Sequence, residues 1–231
     1  MSEAKRIDLH SHSFFTDGAL LPSEICRRAV VMGYSALAIT DHADASNLES
    51  ILEKLTRFAE EQGRFFPLTF IPGVELTHCP PETIAGLARR ARRMGAAIVN
   101  VHGETPVEPT APGSNRAAVE CPHVDILVHP GFITEEEARL AVGNGVYLEI
   151  TSRWGHSLTN GYVAQVARAA GAKLVVNTDT HIPSDMIDQA MARRVAAGAG
   201  LTPDEVEAAT VTHPGELVQR ALLRMGVLQQ A

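Results

Sequence analysis

Cysteine is scarce in this chain. Cys26, Cys79 and Cys121 are odd in number, widely spaced and without a Cys-x-x-Cys pair, which argues against a disulfide framework or a thiolate zinc finger and for a reduced, cytosolic setting. A basic excess is lacking too: 20 lysines and arginines stand against 27 aspartates and glutamates, a formal net charge of −7. Bulk electrostatic binding to nucleic acid or anionic lipid is disfavoured, although a local basic pocket is not. No apolar run reaches the length of a bilayer span, and the polar N-terminus up to Ile7 carries no secretory apolar segment. The expectation is a soluble cytoplasmic protein without a membrane partner. Repeats, low-complexity linkers and composition breaks are missing as well. One domain is therefore expected over residues 1–231, long enough for a substantial core.

What is present is an alternation of short apolar strands and helical stretches. Strands are expected over residues 6–12, 36–42, 68–75, 97–102, 126–129, 146–150 and 173–179. Between them lie helices such as 21–33, with Pro22 near its start and Gly33 at its stop, and 134–145, opened by the capping-box pattern Thr134-Glu-Glu-Glu137. A second capping box, Thr202-Pro-Asp-Glu205, opens a helical tail over about 202–231 beyond a barrel or sheet of about 5–200. Hairpin signals are absent, so the strands run parallel and are joined by helical crossovers.

The strand ends choose the architecture. Residues at or just past the C-terminal end of each strand are His10, His12, Asp17, His42, Glu75, His102, His129, Asp179 and His181. Every strand but the sixth ends in a nitrogen or oxygen metal ligand, and these ends form the functional face of parallel α/β folds. His10 and His12 share a strand face, and the Asp179-Thr-His181 pair repeats their spacing. An open sheet would scatter these residues across its width. A closed barrel brings the first and last strands together and lets all nine converge, so the expected fold is an α/β, TIM-like barrel with its metal site at the C-terminal mouth.

The same residues resemble a family, the PHP (polymerase and histidinol phosphatase) superfamily of metal-dependent phosphoesterases. The resemblance rests on His-Ser-His with Thr-Asp-Gly at residues 10–18, Thr-Asp-His at 40–42, the Gly-Val-Glu glutamate at 75, Val-His-Gly at 101–103, Val-His-Pro at 128–130 and Asp-Thr-His at 179–181. It implies a distorted (β/α)7 barrel with two to three divalent ions. By that resemblance His10, His12, Glu75 and Asp179 would hold one ion. Glu75 would bridge to a second, completed by His102 and His129, and Asp17, His42 and His181 would hold a third. Some relatives carry histidine where Asp17 stands.

A set of His, Asp and Glu without thiolate suits zinc, manganese or iron, and a cluster with open positions is catalytic in type. The expected chemistry is in-line attack of metal-bound hydroxide on a small phosphate monoester, with Glu75 and Asp179 central to it. Histidinol phosphate is one candidate substrate by resemblance. Two further readings stand beside it: a phosphodiesterase acting on nucleotides or nucleic-acid ends, and a metal-binding domain without catalysis. Burial of nine such residues for packing alone would demand many unrelated polar partners.

Arg153, past the strand that lacks a metal ligand, could fork onto a substrate phosphate; the plainer reading is a surface arginine beside Trp154. His156 could protonate a leaving group or face solvent. In the proline-stiffened loop after His102, Glu104, Asn115 and Arg116 are candidate substrate contacts, with Asn115 also readable as a helix cap. His78 could line the mouth or begin a turn. His123 and His213 read as loop or cap residues, and the arginine run 89–93 as a solvated helix end.

Overall fold

Strands covered on both faces have no reason to alternate apolar and polar residues. Ile98–His102 (β5), Ile126–Val128 (β6), Tyr147–Thr151 (β7) and Leu174–Asn177 (β8) are buried at every position. Together with Arg6–Asp8 (β1), Tyr34–Ile39 (β2) and Thr69–Leu76 (β4) they form a parallel sheet in the order β1-β2-β4-β5-β6-β7-β8. A two-residue strand, His42–Ala43 (β3), continues β2 beyond a break and pairs with β4. The computed structural model describes residues 4–228; residues 1–3 and 229–231 of the expected domain lie outside them. The result is a nearly closed barrel of seven parallel strands alternating with helices.

Closure happens at the mouth. Just past β1 and β8, Ser11 bridges Thr180, the His12 N–H donates to the Thr180 carbonyl at 2.8 Å, and the Asp179 N–H donates to the His10 carbonyl at 3.0 Å. Asn177 accepts from the Leu9 N–H at 3.0 Å and Asn100 donates to the Leu9 carbonyl, also at 3.0 Å. The first strand is thus clasped from both sides of the barrel interior.

Helices form the outer layer for legible reasons. Pro22–Val31 (α1) starts with proline, whose missing N–H is no loss at that position. Leu48–Glu61 (α2) buries Leu48, Ile51, Leu52 and Leu55, one stripe at helical spacing. Pro81–Arg93 (α3) and Ser114–Val119 (α4) follow. Glu135–Asn144 (α5) carries the expected Thr134–Glu137 capping box and stops at left-handed Gly145. Asn160–Ala170 (α6) stops at Gly171 in the same way. Gln189–Gly198 (α7) and Pro203–Glu207 (α8), the latter with the Thr202–Glu205 capping box, complete the ring.

Two cores result. Between helices and sheet lie residues such as Leu37, Val74, Leu127 and Leu148. Inside the barrel Ala36, Ile71, Ile98, Ile126, Tyr147 and Val175 meet Leu217, Val218 and Ala221 of the last helix, His213–Arg224 (α9). The apolar stripe of the expected C-terminal tail therefore closes the floor of the barrel. Arg224 ties it there by donating to the Ala97 carbonyl at 2.8 Å and pairing with buried Asp125 at 2.9 Å.

Candidate metal centre

Strand alternation carries the barrel interior from apolar at the floor to polar at the mouth. On one face β5 reads Ile98, Asn100, His102; β7 reads Tyr147, Glu149, Thr151; β8 continues Val175, Asn177 into Asp179. Glu75 ends the inner face of β4 in the same way. His10, His12, Glu75, His102, His129 and Asp179 are all buried at this level.

Four of them converge first. His10 Nε2 lies 3.5 Å from Glu75 Oε2 and 3.5 Å from Asp179 Oδ1, and His12 Nε2 lies 3.5 Å and 3.1 Å from the same atoms. Ligand bonds of roughly 2.0–2.2 Å to one ion place neighbouring donor atoms about this far apart. Glu75, His102 and His129 make a second group, with Glu75 Oε1 at 3.0 Å from His102 Nδ1 and 3.7 Å from His129 Nε2. His12, Asp17, His42 and His181 make a third: Asp17 Oδ2 lies 3.3 Å from His42 Nε2 and 3.1 Å from His181 Nε2. All nine ligand-type residues read from the strand ends are brought together around one mouth.

Other side chains hold these in place. Buried Asp41 accepts from the Ser13 N–H and hydroxyl, both at 2.6 Å, and from the Thr16 hydroxyl at 2.9 Å. That fixes the turn presenting Asp17. Gly18 closes the same turn, since a Cβ there would collide with the His12 carbonyl. The Thr77 hydroxyl meets His42 Nδ1 at 2.6 Å. Glu149 meets His10 Nδ1 at 2.8 Å and accepts from the His129 N–H and Asn177 Nδ2, both at 3.0 Å. A carboxylate behind a ligating imidazole sets its tautomer and ring orientation. His129 and Asp179, at φ 30° and 53°, are held in the left-handed region that non-glycine residues rarely adopt.

The donor set fits divalent ions on two grounds. Among the described residues, six of the ten buried side-chain polar atoms without a hydrogen-bond partner belong to this cluster: His10 Nε2, both nitrogens of His12, Glu75 Oε2, His102 Nε2 and His129 Nδ1. Such atoms are costly to bury unless something ligates them. The second ground is electrostatic. Burial drives the His12 pKa down to about 3, with His42 adding to the push. For His42, burial is outweighed by Glu75 and Asp17, which lift it to about 10. For His102, burial is outweighed by Glu108 and Glu75, which lift it to about 9. Burial also opposes ionisation of Asp17, Glu75 and Asp179, yet the surrounding imidazoles hold all three well below the usual carboxylate range. Clustered carboxylate charge thus calls for cations, and ions in place of protons would find neutral imidazoles as ligands.

The mouth opens into a cleft of roughly 480 Å³, lined among others by Asp17, His102, Glu108, Arg153, His156 and Asp179. Arg153 reaches it: Nε lies 3.6 Å from Asp179 Oδ2, while Nη1 pairs with Asp185 at 3.0 Å. His156 does not face solvent. It is buried, stacks on His129 at 4.2 Å between ring centroids, and meets the Thr105 hydroxyl through Nδ1 at 2.7 Å. Two sequence-derived contacts are not brought to the cleft. Glu104 turns into its own loop, accepting from the Gly113 and Asn115 N–H groups at 2.9 and 3.0 Å. Arg116 pairs with Glu120 and Glu136 on the outer surface. Asn115 is not a helix cap: its side chain accepts from the Glu104 N–H and donates to the Pro130 carbonyl, stapling two loops. His213 lies far from the mouth in the fold, bonded to the Leu174 carbonyl at 2.7 Å.

Three groups at the site escape a reading of strand ends. Glu149 sits two residues before the end of its strand. Glu108 reaches back from the loop to within 3.1 Å of His102 Nε2 and 3.4 Å of His156 Nε2. Asp185 accepts from the His181 and Ile182 N–H groups and anchors Arg153. A lone acid on the inner face of an apolar strand is the available signal for Glu149; loop course hides the other two.

Known proteins share this architecture. The PHP domain family model matches residues 8–119. An uncharacterized protein of Methanocaldococcus jannaschii is 49% identical over 216 residues, covering 93% of this chain and 99% of that protein. A chain of an archaeal ribonuclease P, solved with mature tRNA, superposes with a TM-score of 0.68 at 17% identity, over 97% of this chain and 94% of that one. The histidinol phosphate phosphatase of Lactococcus lactis, solved with zinc, L-histidinol and phosphate, superposes with a TM-score of 0.60 at 16% identity, over 87% and 95%.

Proposed function

The chain belongs to the PHP domain family, and we propose that it is a metal-dependent phosphatase of small phosphate monoesters. One observation carries this reading: the ligand cluster opens into a small cleft in which Arg153 is the one guanidinium among the lining residues, with Asp17, Asp44, Glu108 and Asp179 around it. A terminal phosphate dianion suits such a place. A polynucleotide backbone asks for a row of cations, which these walls do not offer.

His10, His12, Glu75 and Asp179 would hold one ion, Glu75 with His102 and His129 a second, and Asp17, His42 and His181 a third. Bound there, divalent ions would polarise a phosphoryl oxygen and make water a nucleophile at neutral pH. Arg153 would bind the substrate phosphate, its guanidinium held toward the cleft by Asp185. His156, its Nδ1 engaged by Thr105, presents Nε2 to hold a proton for the leaving oxygen. Glu149 and Asn177 keep His10 and the first strand in register.

A second reading has its own support. Trp154 is 94% exposed beside Arg153, and Phe132 and Tyr162 stand exposed as a T-shaped pair, rings 5.4 Å apart. Exposed aromatics can stack the bases of a nucleic-acid end, and one chain of similar fold comes from a ribonuclease. Fully metallated protein is therefore assayed on sugar, amino-alcohol and nucleotide monophosphates against a short single-stranded oligonucleotide. Preferred turnover of a monoester, with a shallow salt dependence, is expected. Faster oligonucleotide hydrolysis with a steep salt dependence would replace the phosphatase reading with the nuclease one.

A further inference from the structure

One carboxylate oxygen outside the ligand set serves two parts of the mouth at once. Asp185 Oδ2 accepts from Arg153 Nη1 at 3.0 Å, from the His181 N–H at 2.9 Å and from the Ile182 N–H at 3.0 Å. Arg153 follows β7 and His181 follows β8, so this oxygen ties together the loops after two neighbouring strands. The Asp179 carbonyl makes a second tie between them: it accepts from Arg153 Nη1 at 3.3 Å and meets His181 Nδ1 at 2.9 Å.

Both ties act on direction. Arg153 is 29% and Asp185 22% exposed at the side chain, so water competes only in part for the pair. Both contacts of Arg153 fall on Nη1, and Nη2 makes no hydrogen bond among the described residues. A long flexible stem is thereby fixed at one edge, and the other edge of the planar guanidinium is left for a phosphate oxygen. On the second loop, the bond to the His181 N–H sets the main chain, while contact of Nδ1 with the Asp179 carbonyl leaves Nε2 at 3.1 Å from Asp17 Oδ2. The plainer role for Asp185 is to close its own turn, Pro183–Asp185, through the Ile182 N–H. That role leaves the bonds to Arg153 and His181 unaccounted for.

We propose that Asp185 is a positioning residue for two sites: it aims Arg153 at the substrate phosphate, and it sets the main chain that presents His181 to the third ion. Both roles rest on the reading of the mouth as the metal centre of a phosphatase. They draw on different properties of one group. Aiming Arg153 needs the negative charge, because a guanidinium bonds a carboxylate more strongly than a neutral amide. Holding the His181 and Ile182 N–H groups needs only an acceptor oxygen, which asparagine also has. Asp185→Asn should therefore loosen Arg153 alone, and Asp185→Ala should loosen both.

Binding of inorganic phosphate and of Mn²⁺ is measured by calorimetry, with circular dichroism as the check on folding. In Mn²⁺-loaded protein, Asp185→Asn is expected to weaken phosphate binding by about five- to tenfold at unchanged metal stoichiometry. In an Arg153→Ala background the same substitution is expected to change phosphate affinity by less than about twofold, because its effect passes through the arginine; a general loosening of the mouth would add in full. Asp185→Ala is expected also to weaken, by about tenfold or more, the Mn²⁺ equivalent that Asp17→Asn identifies as the third. Phosphate bound by Asp185→Asn as tightly as by the parent, or more tightly, would overturn the proposal. So would full additivity with Arg153→Ala, parent-like phosphate binding by Arg153→Ala, or an unaltered third equivalent in Asp185→Ala. Each of these, in a parent that binds both Mn²⁺ and phosphate, leaves the metal centre standing. A parent that binds no divalent ion would overturn the metal centre itself.

Discussion

Glu149→Gln is the sharpest perturbation the centre allows, because it keeps size and removes one property. Each carboxylate oxygen of Glu149 accepts hydrogen bonds: Oε1 meets His10 Nδ1 at 2.8 Å and Asn177 Nδ2 at 3.0 Å, and Oε2 meets the His129 N–H at 3.0 Å. A glutamine amide has one acceptor oxygen and one donor nitrogen. Whichever way it is placed, its NH₂ confronts at least one of these donors at a buried position. One buried donor left unmet costs about 1–3 kcal/mol, and for a chain of this length each kcal/mol lowers Tm by about 2–4 °C. A second effect acts on the ions. Loss of the carboxylate behind a ligating histidine weakens metal binding by about 10–100-fold, so metal should stabilise the variant by about 1.4–2.7 kcal/mol less than it stabilises the parent. Thermal melts in chelator and in excess Mn²⁺, with calorimetric titration, separate the two effects. A Tm within 1 °C of the parent in chelator, together with Mn²⁺ affinity within about twofold, would refute the claim that Glu149 orients His10.

Two further outcomes are expected. Arg153→Ala removes charge-assisted contacts worth about 1.5–3 kcal/mol, so KM for a monoester should rise by about tenfold or more and inhibition by inorganic phosphate should weaken, with metal content unchanged; unaltered kinetics would return Arg153 to a purely structural pairing with Asp185. Gly131→Ala should displace the loop at Glu104, because Gly131 sits at φ 61° and a Cβ there would collide with the Glu104 carbonyl; limited proteolysis within residues 103–113 should quicken at least several-fold, and parent-like resistance would show that the loop is not held at that contact.

Much of the fold is legible in the sequence because its signals are local. Proline at helix starts, glycine at helix stops and the capping boxes at Thr134 and Thr202 act within one turn of chain, and the structure has each of them. The barrel itself follows from a longer-range constraint, namely that ligand-type residues at both ends of the chain only meet if β1 and β8 do. What the strand ends do not show is how closure is secured. Asn100 and Asn177 clasp the main chain of Leu9 from opposite strands, and no pattern within either strand names Leu9 as the partner. The last helix reads as a tail in the sequence, although Leu217, Val218 and Ala221 already form an apolar stripe; a stripe says that something is covered, and only the barrel floor says what.

The harder residues share a physical reason for being hidden. A ligand at a strand end is marked by chemistry and position together, whereas Glu149, His156 and Glu108 are placed by tertiary packing. Glu149 follows from strand alternation once Tyr147 is known to face inward, because the two share a face; without that register an acid in Tyr-Leu-Glu-Ile-Thr has no direction. His156 is drawn inward by Gly155, at φ 86° and closely covered by Val107, and by the Thr105 hydroxyl across the cleft. Val107 and Thr105 belong to the same proline-rich loop as Glu108, and that loop's course is set by Glu104 gripping Gly113 and Asn115 gripping Pro130. The two acids of that loop therefore exchange the roles their positions suggest. Glu104, two residues past a ligand in sequence, spends its carboxylate on holding the loop, and Glu108, six residues from His102, reaches the histidines because it does so.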